Sequence, residues 1–212
     1  MADTSLALNQ HRRDTLDRYR GAFLGLALAD GIAARGILER CEMLLAQEDE
    51  ADPDGFEEGD AAVAGALAAL WQGGDEALAA EWVGRTAKKA TARQAAAVMA
   101  RILAGTSRDA LPPLGVATEA LRAAATFAEG LRFVGPPERA RYGILAGAFF
   151  GESGLDERDV SRLPLRAVAR AVAGAIVERL WFPAPADAPM IACEHCRALL
   201  EGGGTAPGAS EG

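Results

Sequence analysis

Asp17-Arg18-Tyr19-Arg20-Gly21-Ala22-Phe23-Leu24-Gly25-Leu26-Ala27-Leu28-Ala29-Asp30-Gly31 decides how this chain is read. It is an apolar helix flanked by arginines, with small residues at Gly21 and Gly25, and it ends where an acid meets a glycine. Helix formers fill it, and the Asp30-Gly31 pair is a stop signal.

The composition extends that reading to the whole chain. Of its 212 residues, 50% are hydrophobic and 25% charged, enough apolar material for one sizeable core and a single globular domain. Alanine and glycine dominate the apolar set and aromatics make up only 6%, which favours closely packed helices over a sheet rich in β-branched residues. The expected fold class is therefore all-α, a compact multi-helix domain. A net charge of −8 repels a phosphate backbone, so nucleic acid is not an expected partner. The longest apolar runs, residues 61–71 and 142–151, are about half of the ~20 residues that cross a bilayer, so no membrane span is expected. Three cysteines make no disulfide framework and no basic-then-apolar leader opens the sequence, which points to the cytoplasm.

Residues 1–13 lack periodicity and residues 202–212 are Gly-rich and polar, so both are expected as disordered tails around one domain, 14–201. Helices are predicted over 15–29, 32–47, 59–71, 76–86, 90–103, 116–131, 138–151, 165–181 and 191–200. An acidic loop at 48–55, Pro112-Pro113, Gly135-Pro136-Pro137, a loop at 152–156 and the prolines at 183, 185 and 189 separate them. No repeat recurs with a period of 20 to 50 residues.

The run from Asp17 resembles the opening helix of the ADP-ribosylglycohydrolase family, which reads D-R-x-x-G-x-x-x-G-x-A-x-G-D-A. Tyr142-Gly143-Ile144-Leu145-Ala146-Gly147-Ala148-Phe149-Phe150-Gly151 is similar to the family's C-terminal A-G-A-x-x-G-A helix. Residues 125–131 look like the helix that leads into it, and Leu111-Pro112-Pro113-Leu114-Gly115 resembles the family's P-L-G element without the Thr-His that usually follows. The likeness covers most of residues 17–151 in helix order, in a chain shorter than typical members. It implies the family's all-α fold and, with it, removal of ADP-ribose by two metal ions held by carboxylates.

The family's metal motifs are altered here. Its Thr-Asp-Asp-Thr, placed just before an Ala-rich helix, falls on Glu57-Glu58-Gly59-Asp60, and Gly59 offers no ligand. Its Gly-Asp-x-Asp-Thr falls on Pro137-Glu138-Arg139-Ala140-Arg141, where only Glu138 keeps a carboxylate and a cation replaces the hydroxyl. A hard divalent cation needs several oxygen ligands at about 2.0–2.6 Å, and an arginine beside it is repelled. Read without the family, acids in a first turn complement the helix dipole, and Asp60 or Glu58 serves as a cap. Arg139 and Arg141 are placed to pair with Glu57, Glu58 or Asp60 if the fold joins the two helix starts.

The expected binding residues are therefore Glu57, Glu58, Asp60, Glu138 and Arg141, with no cofactor. The expected role is a binding or regulatory domain for a small-molecule ligand or a protein partner, or metal-independent chemistry in the inherited cleft. Two alternatives stand beside it: an active hydrolase with a rebuilt magnesium site on Glu57, Glu58, Asp60 and Glu138, and a purely structural partner of another protein. Cys193-Glu194-His195-Cys196 supplies three potential zinc ligands where a closed site needs four, and Cys41 is the only other cysteine. A lone C-x-x-C without a βαβ context is a weak redox signal, and two thiols on a short helix is the plainer reading. His11 lies in the expected tail and no G-x-S-x-G occurs, so no histidine-centred catalytic dyad is expected.

Overall fold

The computed structural model describes residues 2–46, 60–84 and 89–181. Among them the fold is helical throughout: α1 (Ala2–Ala29), α2 (Gly31–Ala46), α3 (Ala61–Trp71), α4 (Glu76–Val83), α5 (Lys89–Leu103), α6 (Gly115–Ala123), α7 (Phe127–Arg132), α8 (Arg139–Phe150), α9 (Glu157–Ser161) and α10 (Arg166–Trp181). No described helix is long and apolar enough to cross a membrane. The all-α expectation holds.

Three helices form the centre because they are apolar around most of their circumference. The second half of α1, nearly all of α3 and the middle of α8 are buried. α8 lies along α1, α5 covers α3, and α10 lies against α1. The α1–α8 contact is backbone on backbone. A Cβ on Gly21 would overlap the carbonyl oxygen of Gly147, and one on Gly25 the carbonyl oxygen of Gly143. Reciprocally, a Cβ on Gly147 would overlap Gly21, and one on Gly143 would meet the Gly25 carbonyl and the Ala29 side chain. Two Gly-x-x-x-Gly rows thus face each other. The same device recurs between α3 and α5, where a Cβ on Gly65 would strike the Ala92 carbonyl.

Polar side chains tie these helices together through main-chain acceptors. Tyr19 Oη donates to Leu70 O at 2.7 Å, joining α1 to α3, and Arg18 Nη1 donates to Ile102 O at 2.5 Å near the end of α5. Tyr142 Oη donates to Phe127 O at 2.8 Å, with its ring in the space left by the absent side chain of Gly130. At the end of α8, Gly151 adopts φ 70°, and Asp17 accepts from Ser153 N and Oγ, each at 2.9 Å. A Cβ on Gly151 would overlap Asp17 Oδ2, so this position is closed to other residues on two counts.

Three boundaries differ from the sequence expectation. α1 begins at Ala2, so residues 2–13 are helix rather than a structureless tail. Thr15 Oγ1 donates to His11 O at 2.8 Å, and the His11 ring lies 5.8 Å from that of Trp181 at the end of α10, which supports the extension. The helix expected over 116–131 is broken into α6 and α7 because Ala124 turns extended (φ −90°, ψ 139°). There Arg108 donates to Ala124 O, Thr126 caps α7 through Glu129 N at 3.2 Å, and Glu129 returns a bond to Ala125 N at 2.8 Å. The loop expected over 152–156 contains a short 3-10 turn at Glu152–Gly154, and Asp156 then caps the additional helix α9. The expected loop at 48–55, helix at 191–200 and tail at 202–212 lie outside the described residues, as does Cys193-Glu194-His195-Cys196.

Glycine substitutions separate crossing from surface. Gly21→Ala or Gly147→Ala should cost about 3 kcal/mol or more, because the added methyl meets backbone that cannot swing away. Gly36→Ala in α2, where nothing lies within 4 Å of an added Cβ, should instead stabilise by about 0.5–1 kcal/mol. Urea unfolding of the three variants measures both.

Cys41 gives the core a pH signature. Burial, and secondarily the charge of Glu42, pushes its thiol from the ordinary 9.0 up to about 12. Because the folded pKa is the higher one, the native state holds a proton that the unfolded chain has lost, so this stability is complete below pH 9.0 and falls as pH rises toward about 12. Cys41→Ala should flatten the decline between about pH 9 and 10 in urea unfolding; an unchanged slope would show that the thiol is not the source.

Candidate functional site

The two segments carrying the expected site residues meet. Asp60 is the N-cap of α3, with extended backbone (φ −70°, ψ 118°) and Oδ1 accepting from Ala62 N at 2.8 Å. This is the ordinary capping role that its place before an Ala-rich helix suggests. Its second oxygen is then free to face elsewhere. Oδ2 accepts from Arg141 Nε at 2.6 Å, across 81 residues of sequence.

Arg141 stands in the first turn of α8, and Glu138 ends the 3-10 turn Pro136–Glu138 that leads into it. Pro136 and Pro137 set that turn, since their fixed φ suits a helical start and their missing N–H groups need no partner. Glu138 Oε1 accepts from Arg141 Nη1 at 2.6 Å. One guanidinium is therefore shared by two carboxylates that enter from different helix starts. Arg139, the other candidate cation, is exposed and joins none of the described ion pairs. Glu57 and Glu58 lie outside the described residues.

The electrostatics run against local preference. A helix N-terminus carries partial positive charge and disfavours a cation in its first turn. Arg141 is held there by the carboxylates. Burial acts to lower its pKa, but the hydrogen bonds and charges of Asp60 and Glu138 outweigh burial and hold the guanidinium above its ordinary value. Its side chain keeps 30% of its exposure and those of Asp60 and Glu138 keep 20% and 24%, so solvent screens the group only in part. Glu138 Oε2 is buried with no hydrogen-bond partner among the described residues.

A dinuclear metal centre does not fit these residues. Both carboxylates are already engaged by a fixed monocation, Ala140 supplies no ligand, and the cation lies where an incoming dication would be repelled. No group of three His, Cys, Asp or Glu side chains suited to a metal ion converges among the described residues. The described concavities are elsewhere and shallow. One of about 150 Å³ is lined by Asp14, Asp17, Arg18, Phe149, Phe150 and Gly151, and another of about 130 Å³ by Gln72, Leu78, Glu81 and Trp82.

Sequence reasoning missed a second charged junction. Glu152 takes Arg170 Nε at 2.6 Å and lies 3.6 Å from Arg20 Nη1, joining α1, α10 and the turn after α8. Nothing in the spacing of these residues announces the contact, because it depends on how α10 returns along α1. Comparison with protein-family models, curated proteins and solved structures finds no match to this chain.

Removing the shared cation leaves two carboxylates facing each other with partial access to water. Arg141→Ala should destabilise the fold by about 1–2 kcal/mol, less than a fully buried pair would lose. Glu138→Gln, which keeps an acceptor for Nη1, should cost less. Thermal unfolding checks both, and an unchanged midpoint in Arg141→Ala would mean that the bridge carries no stability.

Proposed function

We propose that the chain is a divergent relative of the ADP-ribosylglycohydrolases that has lost the dinuclear metal site and serves as a binding or regulatory domain. Its ligand is a small molecule or a protein surface that engages Glu57, Glu58, Asp60, Glu138 and Arg141. One observation carries this reading: the guanidinium of Arg141 is bonded to both Asp60 and Glu138 where two helix starts meet. The glycine-patterned helices that resemble the family support the fold half of the proposal. The altered motifs support the functional half.

The chemistry follows from the charge. Hydrolysis at a glycosidic carbon needs a water made nucleophilic near neutral pH and an electrophilic clamp on the sugar hydroxyls. The carboxylate oxygens nearest the cation are already used as acceptors, Asp60 Oδ2 by Arg141 Nε and Glu138 Oε1 by Arg141 Nη1, so neither is free to take a proton from a substrate water. Even an unpaired general base supplies only about 10²–10⁴-fold. Asp60 is further committed to capping α3, so its movement toward a substrate would expose a helix terminus. What remains is a partly exposed, donor-rich guanidinium held in place by two carboxylates, which suits recognition more than turnover.

Incubation with peptides ADP-ribosylated on arginine or serine should release no ADP-ribose above background, with or without magnesium. Magnesium-dependent release that disappears in Glu138→Gln would replace this reading with that of a hydrolase using a rebuilt metal site. Metal-independent release lost in the same variant would establish carboxylate chemistry in the inherited cleft.

A further inference from the structure

The carboxylate pair and its arginine form an arrangement whose charges do not balance. Asp60 and Glu138 each give one oxygen to the same guanidinium at 2.6 Å, which leaves the trio with one net negative charge. The N-terminus of α8 offers Arg141 no help, because its dipole favours anions. Glu138 Oε2 is buried and lacks a partner among the described residues, so the negative end of the group is only half satisfied. A partly dry pair of carboxylates demands a cation, and uncompensated it would be strongly unfavourable. The chain supplies that cation from its own side chain, Arg141.

We propose that Arg141 is the fixed counter-cation of the Asp60–Glu138 pair and keeps divalent cations out of it. This rests on the reading that the metal centre has been lost, and it adds to the missing ligands a side chain that occupies the two carboxylates that remain. Three physical features set the behaviour. The guanidinium is tethered, so its local concentration exceeds that of a free ion. It stays protonated at every pH where the fold survives. Its planar fork serves two acceptors at once, which a lysine ammonium on a flexible stem does less well.

Manganese titration of the full chain, followed by the paramagnetic signal of the free ion, tests this directly. The wild-type protein and Arg141→Lys should take up no stoichiometric manganese. Arg141→Met, which keeps bulk and removes charge, should bind one ion per chain at least about tenfold more tightly than wild type, and adding Asp60→Asn should abolish the gain. A helical Arg141→Met protein that binds no manganese would overturn the proposal, as would a wild-type protein that binds as tightly as Arg141→Met. Should Arg141→Met fail to fold, nitrogen-15 spectra of the wild type decide the matter: the Arg141 Nε–H signal should stay sharp in excess manganese, and selective broadening would contradict the assignment. Magnesium-dependent release of ADP-ribose by the wild type would defeat the parent reading, whereas failure of Arg141→Met alone defeats only the counter-cation.

Discussion

The backbone contact between α1 and α8 governs the geometry of everything else. Helices with ordinary side chains pack with axes 8–10 Å apart. Here facing glycines, Gly21 and Gly25 against Gly143 and Gly147, remove the side chains that would hold the helices apart. Glycine carries an entropic cost in a helix, so a row of it on each partner makes sense only where close approach returns more in dispersion and burial. Once α8 is pressed onto α1, its first turn has little freedom. Tyr142 reaches Phe127 O, Tyr19 reaches Leu70 O, and α3, which also contacts α8, presents its N-cap to Arg141.

The charged group at that meeting point is thus a product of packing. Asp60 divides its oxygens between the α3 amide of Ala62 and Arg141 Nε, so the helix start and the bridge hold each other in place. Glu138 reaches the same guanidinium from the turn before α8. An arginine in a first turn would be a poor choice on an isolated helix. It is a good one where two carboxylates converge. The two carboxylates therefore carry a cation that belongs to the chain itself.

The parts of this arrangement that were legible in the sequence are those set by local chemistry. The glycine spacing in residues 17–31 and 142–151 marked the two helices that cross, and Asp60 before an Ala-rich run marked a cap. Helix ends at Gly31, Gly73 and Gly105 were readable for the same reason. The α6–α7 break was present as Thr126 and Glu129, a capping-box spacing, but an unbroken apolar pattern over 116–131 concealed it. The opening of α1 over residues 2–13, about three turns, was not readable, because its support includes the contact of the His11 ring with Trp181 at the far end of α10. Arg141 was nameable as a candidate from the altered motif. Its choice of Asp60, across 81 residues, came only with the fold, and so did the junction at Glu152.

The most direct test of the account is anomalous diffraction from crystals of the full chain soaked in manganese and ADP-ribose. The Arg141 guanidinium should lie between Asp60 and Glu138, with no anomalous peak at either carboxylate. A manganese peak bridging those carboxylates, with Arg141 swung away, would contradict it.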